Sequence, residues 1–281
     1  MNTNYDHIKK MGLHAAHLTA SMYNRNHPIF HYQEAVEILK GAARASRVLS
    51  QMVEQGIVSR LKSGVFRLVP FELGFEKEYL GNPYLVAREI ILHKNKVKKK
   101  YYLSHASAFD LHQMTTQPQL IVYTSSTKMM RNKIIQGTEF KFVLCKANDI
   151  FGLTEMWLDK NEKVMVSDLE RSLLDGLKQP EYCGGFSEVA KAFWMKRDLI
   201  NPQKIIDYAI KLNIGAVNRR LGYLMELYHI GTRIYWEFLQ TTLSLTYQLL
   251  DPTLLAEGSY ISKWKLRLNI SEEELLALRV T

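Results

Sequence analysis

The chain has 281 residues, 47% of them hydrophobic and 23% charged, which is enough for one large domain or for two to three modest ones. Its net charge of +9 is uneven: residues 1–100 hold 16 lysines and arginines against 8 aspartates and glutamates, whereas residues 101–281 hold 21 against 20. The basic N-terminal part therefore favours a polyanionic partner. No apolar run approaches the ~20 residues of a membrane-spanning helix, which argues against a helical membrane protein.

Cysteine usage bears on the cellular compartment. The two cysteines, Cys145 and Cys183, lie far apart in the sequence and lack the spacing of metal ligands. We expect both thiols to be reduced. Since the N-terminus carries no signal peptide, we expect a cytoplasmic protein.

The first part of the chain opens with three predicted helices. Apolar side chains recur at helical spacing over residues 5–25 and 32–40, and the turn-forming residues 24–28 separate these two helices. A third helix is predicted to begin near Ala42 and to end before Gly56, as helices often end at a glycine.

The third helix has an apolar side, with Val48, Leu49 and Met52, and a polar side. Two alternating segments, residues 57–61 and 65–69, follow it and predict a basic β-hairpin. Helix, helix, turn, helix and hairpin in this order are typical of a winged helix-turn-helix. The small core of this module is expected to hold the aromatic residues Phe30, Tyr32 and Phe66.

This layout assigns DNA contacts to two places. A recognition helix fits the major groove of duplex DNA and offers arginine and glutamine to base edges, while a basic wing tip reaches phosphate or the minor groove. The predicted DNA-binding residues are Arg44, Ser46, Arg47 and Gln51 on the helix, and Arg60, Lys62 and Ser63 on the wing. The alternative is that the two helix arginines only solvate an exposed face.

Residues 71–100 are predicted to connect two domains. A helix is expected over residues 84–93, and a lysine cluster follows it, made of Lys94, Lys96, Lys98, Lys99 and Lys100. The cluster either adds to a basic binding surface or is a solvated linker. We therefore divide the chain into residues 1–70, 71–100 and 101–281.

The second domain mixes strands and helices. Strands are predicted at residues 120–125, 140–145, 163–166 and 264–268, and helices at residues 168–178, 189–195, 202–212, 216–227, 235–250 and 272–279. The predicted fold class is α+β, with an N-terminal winged helix-turn-helix followed by a C-terminal domain of a mixed sheet and helices.

Four stretches of the second domain carry a resemblance to a known family. They are YYLSHASAFDLHQM (101–114), VSDLERSLLDGLKQPEYCGG (166–185), NRRLGYLMEL (218–227) and SKWKLRLN (262–269), and they follow QGIVSRLKSGVFRL in the predicted wing. In this order they resemble AbiEi-type antitoxins, the antitoxin half of bacterial abortive-infection type IV toxin–antitoxin systems, and their stand-alone relatives. The most specific element is SDLERSLLDGL followed by two glycines.

The resemblance implies a cytoplasmic transcriptional repressor that binds the inverted repeats of its own promoter. Because one winged helix reads a short site, two copies are expected on double-stranded operator DNA. The resemblance also implies a C-terminal domain that opposes a nucleotidyltransferase toxin, AbiEii, without a stable complex, as part of phage defence. The residues that carry the family motif in this domain are Ser104, His105, Glu170, Arg171, Asp175, Gly184 and Gly185.

The charged residues of the helix at 168–178 admit two interpretations. Arg171 and Asp175 are four residues apart on one helix face, where an exposed pair contributes only ~0.2–0.5 kcal/mol. We prefer a structural ion pair that anchors the helix to the sheet over a catalytic or toxin-opposing role. Glu170 and Arg171 are expected on the opposite surface of this helix or at its edge.

Three further groups of residues are candidates for a metal site, a nucleophile or a basic surface. His105 and His112 are seven residues apart on one helix face, but they lack the i, i+4 spacing and the carboxylate of a zinc site. Cys183 belongs to no readable Cys/His arrangement, and the glycine pair after it is interpreted as a sharp turn. Residues 218–220, Asn-Arg-Arg, are either a second basic surface or an exposed helix start.

The sequence contains no dinucleotide-binding glycine motif, phosphate loop, nucleophile elbow or paired catalytic carboxylates. We therefore expect a DNA-binding regulator without enzymatic activity, without a cofactor and without a metal. Three alternatives stay open: a stand-alone winged-helix regulator that has no toxin, a protein-binding antitoxin whose winged helix serves protein contacts, and an enzyme that modifies nucleic acid or nucleotides.

Overall fold

The computed structural model describes residues 11–73, 79–92, 100–117, 119–160 and 162–279. These residues form a mixed α+β fold, as the sequence predicted. The helices and strands follow one another in this order: α1 (Leu13–Asn24), β1 (Ile29–His31), α2 (Tyr32–Leu39), α3 (Ala42–Glu54), β2 (Val58–Lys62), β3 (Val65–Leu68), α4 (Pro83–Leu92), β4 (Tyr101–Leu103), α5 (His105–Leu111), β5 (Ile121–Ser126), β6 (Lys133–Ile135), β7 (Thr138–Leu144), β8 (Leu153–Asp159), β9 (Glu162–Ser167), α6 (Leu169–Lys178), α7 (Phe186–Lys196), α8 (Pro202–Leu212), α9 (Gly215–Leu227), α10 (Arg233–Thr241), β10 (Gln248–Leu249), β11 (Ser259–Ile261), β12 (Leu266–Leu268) and α11 (Glu272–Ala277).

Spatial contacts divide the chain into two compact units. Unit 1 comprises residues 1–99, 132–140 and 157–164, and unit 2 comprises the remaining residues, 100–131, 141–156 and 165–281. Strands β7, β8 and β9 each begin in one unit and end in the other. None of the described helices is both long and apolar enough to cross a membrane.

Unit 1 contains a small core between three helices and a three-stranded sheet. The sheet has the order β1-β3-β2, and both pairings are antiparallel. Phe30 on β1 lies opposite Phe66 on β3, and their rings stack with centroids 5.9 Å apart. Helices α1, α2 and α3 cover these rings with Leu18, Leu39 and Leu49, which are buried. The expected aromatic core is therefore confirmed for Phe30 and Phe66, whereas Tyr32 is half-buried.

The β2–β3 hairpin turns at Ser63 and Gly64, where the sequence predicted it. Gly64 has φ of +75°, a conformation that costs glycine little and most other residues more. The two strands shift register between Arg60 and Lys62, so the hairpin carries a bulge just before the turn.

Unit 2 is built around helix α6. Every residue from Glu170 to Leu177 in this helix is buried, and α5, α7, α8 and α9 pack against it. The six-stranded sheet, of order β6-β7-β5-β4-β9-β8, contributes β4 and β5 to this unit, and β4 is antiparallel to β5 and parallel to β9. A second sheet, of order β10-β12-β11, places Trp264 next to the helical core.

The helix predicted at residues 235–250 is wrong beyond Thr241. Helix α10 ends there, and Gln248–Leu249 instead form a short strand parallel to β12. The apolar spacing continues past residue 241, which is why the sequence predicted one long helix. However, the Arg219 guanidinium donates to the carbonyl oxygens of Ser244 and Thr246, at 3.0 and 2.9 Å. These carbonyl oxygens therefore accept hydrogen bonds from a side chain, whereas in a helix they would accept them from backbone N–H groups.

Several short strands escaped the sequence analysis, among them β4, β6, β10 and β11, of two or three residues each. Strand β8 is longer, with seven residues, but its side chains are only partly buried. Segments this short carry too few alternations to establish a strand period. The helix predicted at residues 202–212 coincides with α8, and the one at residues 5–25 is described only from residue 11 onward.

A close approach of Trp264 to Gly222 on α9 yields a stability prediction. A Cβ atom at Gly222 would lie 1.9 Å from Cζ3 of Trp264, and Trp264 is almost fully buried. Gly222→Ala should therefore lower the free energy of unfolding by about 1–3 kcal/mol, through overpacking. Urea denaturation measures this as a lower transition midpoint. Trp264→Leu removes the ring, so Gly222→Ala should lower the stability much less in this background. If the stability losses of the two substitutions were additive, the contact between Gly222 and Trp264 would not be their cause.

Candidate functional site

The exposed side of helix α3 presents the residues that the sequence assigned to DNA. Arg44, Ser46, Arg47 and Gln51 are all exposed, whereas Ala45, Val48, Leu49 and Met52 are buried in the core of unit 1. Arg44, Arg47 and Gln51 follow one another at i, i+3 and i+7, so they line one strip of the helix. Ser46 lies on the other margin of the exposed side, which faces the hairpin.

Arg44 is exposed but partly engaged within the protein. Its Nη1 donates to the carbonyl oxygen of Leu39, at 2.9 Å, at the end of helix α2. Tyr32 also fastens this turn, because its hydroxyl donates to the carbonyl of Ala42 at 2.9 Å. Within the described part of the chain, Arg47 and Gln51 make no side-chain hydrogen bond or ion pair. Arg47 and Gln51 are therefore the helix residues most available to a ligand.

The three predicted wing residues have different environments. Arg60 and Ser63 are exposed. The Lys62 ammonium instead donates to the carbonyl oxygen of Ile90, at 2.8 Å, in the last turn of α4. This contact suits a cation, since the last carbonyl groups of a helix lack partners and carry partial negative charge. Lys62 therefore fixes the hairpin to α4 as well as adding charge.

A groove of about 510 Å³ separates α3 from the hairpin. Ser46 and Ser50 from α3 line one wall, and Arg60 and Ser63 line the other. Among the residues that line this groove, Glu54 is the one that carries a carboxylate. The groove thus gathers three of the seven predicted residues, while Arg44, Arg47 and Gln51 lie outside it.

In unit 2, the motif residues of α6 form a buried ion pair. Arg171 Nε donates to Asp175 Oδ1 at 3.0 Å, and Arg171 Nη2 donates to the Tyr102 hydroxyl at 2.9 Å. Arg171 Nη1 donates to the carbonyl oxygens of Asp149 and Phe151. Arg171 and Asp175 are 1% and 2% exposed, so the expectation of a surface or edge position for Arg171 is wrong. Burial alone would lower the pKa of Arg171, but the Asp175 carboxylate beside it raises this pKa overall.

Glu170 is also buried, which corrects the second surface assignment. Its carboxylate accepts from the Asn201 amide at 3.0 Å and from the Lys204 ammonium at 2.7 Å. The same ammonium lies 3.1 Å from Asp168 Oδ2, and Asp168 caps α6 by accepting from the Arg171 amide. Glu170 therefore joins the start of α6 to the start of α8.

Ser104 and His105 form a second buried polar group. His105 Nδ1 lies 2.9 Å from Ser104 Oγ, which accepts a hydrogen bond of 2.8 Å from Ser125 Oγ. His105 is buried and has φ of +51°, which is uncommon for a residue other than glycine. Burial lowers the pKa of His105 to about 4. The imidazole is therefore neutral at physiological pH.

His112 does not share a ligand site with His105. Its Nε2 lies 2.6 Å from the carbonyl oxygen of Ser167, whereas His105 faces Ser104. Among the described residues, no three histidine, cysteine, aspartate or glutamate side chains are grouped closely enough to hold a metal ion. Cys183 is buried, and burial raises the pKa of its thiol well above the usual value, which makes it a poor nucleophile.

Gly184 and Gly185 form the turn between α6 and α7. Both have positive φ, of +88° and +102°, and the Gly185 amide donates to the Pro180 carbonyl at 2.9 Å. The interpretation of this pair as a sharp turn is confirmed.

Residues 218–220 do not form a basic surface. Asn218, Arg219 and Arg220 are at most 4% exposed. Arg220 Nη1 donates to the Leu177 carbonyl at 2.7 Å, and burial lowers the pKa of Arg220 to about 10. The two arginines bind carbonyl groups of distant segments, which a sequence pattern does not reveal.

A charged cluster in unit 1 was not predicted from the sequence. His31 Nε2 lies 3.0 Å from Glu89, Arg88 Nε donates to the same carboxylate at 2.8 Å, and Arg88 Nη2 lies 2.7 Å from Glu162. Burial alone would raise the pKa of Glu89, but His31 and Arg88 lower it overall. Arg67 on β3 is also buried and was not singled out. Only the unusual placement of a charge inside a predicted apolar strand could have indicated it.

The buried His105 predicts a pH dependence of stability. Its pKa falls from 6.5 to about 4 on folding, so the unfolded chain binds more protons in this window and stability falls as the pH drops from 6.5 to 4. Asparagine tolerates the positive φ at this position. His105→Asn should therefore remove about 3 kcal/mol of the decrease in unfolding free energy between pH 6.5 and 4. The measurement is urea denaturation across this pH range. His229→Asn, at an exposed histidine with φ of +56°, is the matched control and should leave the pH profile unchanged. Parallel profiles for wild type and His105→Asn would contradict the prediction.

The chain is similar in fold to a solved structure but matches no known protein family. No protein-family model and no curated protein matches the chain. Among solved structures, the chain is similar to the RV2827C protein from Mycobacterium tuberculosis, with a TM-score of 0.71 over 97% of this chain and 96% of that chain. The two sequences are 12% identical, so the likeness indicates a shared fold alone.

Proposed function

We propose that unit 1 carries a winged helix-turn-helix that binds duplex DNA, and that the chain is an autoregulating repressor of the AbiEi antitoxin type. The observation that carries the DNA-binding proposal is the exposed polar side of α3 beside a basic hairpin. The element order α1-β1-α2-α3-β2-β3, with the sheet order β1-β3-β2, supports the same interpretation.

The chemistry of the α3 strip suits base recognition. An exposed helix fits the major groove, where arginine binds guanine and glutamine binds adenine through paired hydrogen bonds. Arg47 and Gln51 lie four residues apart on one helix face, so they can reach neighbouring base pairs. Arg44 is tied to the end of α2 by its bond to Leu39 and suits a positioning contact to phosphate.

The groove between α3 and the hairpin suits the DNA backbone. Ser46, Ser50 and Ser63 supply hydroxyl donors, and Arg60 supplies a cation on the hairpin wall. Such contacts fix the register of a protein on the duplex without reading its sequence. Since Lys62 fastens the hairpin to α4, the wing is held in a defined position.

The antitoxin half of the proposal rests on the resemblance of the α5, α6, α9 and β12 sequences to the AbiEi family. In this proposal the protein acts in the cytoplasm, two copies bind an inverted repeat, and unit 2 opposes a nucleotidyltransferase toxin. A toxin reading frame immediately downstream of the gene would separate such an antitoxin from a stand-alone regulator. DNA binding by unit 1 is common to both.

Binding to the upstream DNA of its own gene tests the repressor proposal. The full chain is titrated onto this DNA and onto a scrambled sequence of equal length, across a series of salt concentrations. A preference for the upstream DNA of about 10³-fold or more is expected of a specific site. Equal and steeply salt-dependent affinities would show that the basic part only holds phosphate, and would overturn the proposal.

Arg47→Ala tests the base-reading assignment. If Arg47 makes a bidentate contact to guanine, the substitution should reduce the free energy of binding to the upstream DNA by about 1–3 kcal/mol. It should also relax specificity at the base pair that Arg47 contacts. Arg131→Ala removes the same charge from another exposed arginine and is the matched control. Equal losses on upstream and scrambled DNA for Arg47→Ala would contradict base reading.

Arg60→Ala tests the backbone contact. It should weaken binding to upstream and scrambled DNA by a similar factor, and reduce the slope of affinity against salt by roughly 0.9 for one phosphate contact. Lys62→Ala should also weaken all sequences alike, since the wing then loses both a charge and its anchor on Ile90. A selective loss on upstream DNA for Arg60→Ala would instead place Arg60 at a base edge.

A further inference from the structure

A cavity of about 350 Å³ lies in unit 1, away from the exposed side of α3. Its wall includes Met22 at the end of α1, Arg67 on β3, Leu85 on α4 and Leu158 on β8. Tyr79 and Asn82, which precede α4, also belong to this wall. A volume of this size falls at the small end of the range of ligand pockets, and its lining joins apolar surface to a few polar groups, as such pockets do.

Arg67 is the unusual member of this wall. The residue is 7% exposed, and its guanidinium carbon lies 4.9 Å from the centroid of the Tyr79 ring. Within the described part of the chain, Nε and Nη1 of Arg67 have no hydrogen-bond partner. Tyr79 acts on the guanidinium through its hydroxyl, but the N–H groups on Nε and Nη1 are buried without an acceptor, and such donors are costly because they have lost their water.

The neighbouring charges are already partnered or lie at the surface. Glu162 pairs with Arg88 at 2.7 Å, and His27 lies 3.4 Å from Glu34. Asp159 also lines the cavity but is exposed. Arg67 is therefore a charged group of this wall in which two nitrogens, Nε and Nη1, lack an acceptor among the described residues.

We propose that this cavity binds a small organic monocarboxylate, with the carboxylate on Arg67 and an apolar body against Met22, Leu85 and Leu158. The planar guanidinium matches a carboxylate in a paired, bidentate geometry. Glu162 and Asp159 lie in the same wall and repel anions, so a single negative charge is favoured over the double charge of phosphate. This proposal goes beyond DNA binding and does not depend on it.

Calorimetric titration of the full chain without DNA tests the site directly. The probe is phenylacetate, which joins one carboxylate to an apolar ring, and phenylacetamide is the matched neutral compound. Saturable binding of phenylacetate is expected, about tenfold or more tighter than that of phenylacetamide or inorganic phosphate. Absence of saturable phenylacetate binding, or equal affinity for the acid and the amide, would overturn the proposal.

Two variants locate the binding in this cavity. Arg67→Lys keeps a charge but loses the bidentate geometry, and it should weaken phenylacetate binding about tenfold or more. Leu158→Trp leaves Arg67 in place and fills the cavity, so it should abolish binding even if Arg67→Lys does not fold. Arg131→Lys, on an exposed arginine, is the control and should bind as the wild type does. Unchanged phenylacetate binding in Leu158→Trp would place the ligand elsewhere and overturn the assignment.

Discussion

The Arg171–Asp175 pair is the interaction on which the organisation of unit 2 depends. One guanidinium donates to the carboxylate one turn further along α6, to the Tyr102 hydroxyl on β4, and to two carbonyl oxygens in the segment before β8. A single side chain thereby joins a helix, a strand and a loop. Because each charge is buried, loss of one partner would leave the other uncompensated, at a cost of about 3–5 kcal/mol. The sheet and the central helix are consequently held in one arrangement.

The two units use charge in different ways. In unit 2, buried arginines bind backbone carbonyl groups: Arg219 binds the segment after α10, and Arg220 binds the end of α6. In unit 1, Arg44 and Lys62 bind the ends of helices α2 and α4. These contacts fix the α2–α3 turn and the hairpin. They leave Arg47 and Arg60 exposed.

The sequence predicted local structure well where one physical signal dominates. The helical spacing of apolar residues predicted the observed bounds of α8. The turn at Ser63 and Gly64 was placed correctly because glycine adopts positive φ more readily than most other residues. It failed where the deciding partner is remote in the chain. Arg171, Arg219 and Arg220 were expected at the surface, since arginine is seldom buried unless it is paired. Apart from Asp175 and Gly215, each four residues away, the hydrogen-bond partners of these side chains lie 20 to 69 residues away in the chain.

The candidate site was likewise predictable only where local spacing decides the position of a side chain. Exposure of Arg47 and Gln51 follows from helical period alone, because the opposite side of α3 is continuously apolar. The separate surroundings of Arg60 and Lys62 do not follow from sequence, since the register of the hairpin shifts between them and the partner of Lys62 lies on α4. Arg67 was missed for a third reason. A charge inside a strand has meaning only when the groups around it are known, and its unpartnered N–H groups are a property of the folded cavity. Nε and Nη1 of Arg67 depart from the rule that buried polar groups have hydrogen-bond partners, and such a departure is visible only in the folded structure.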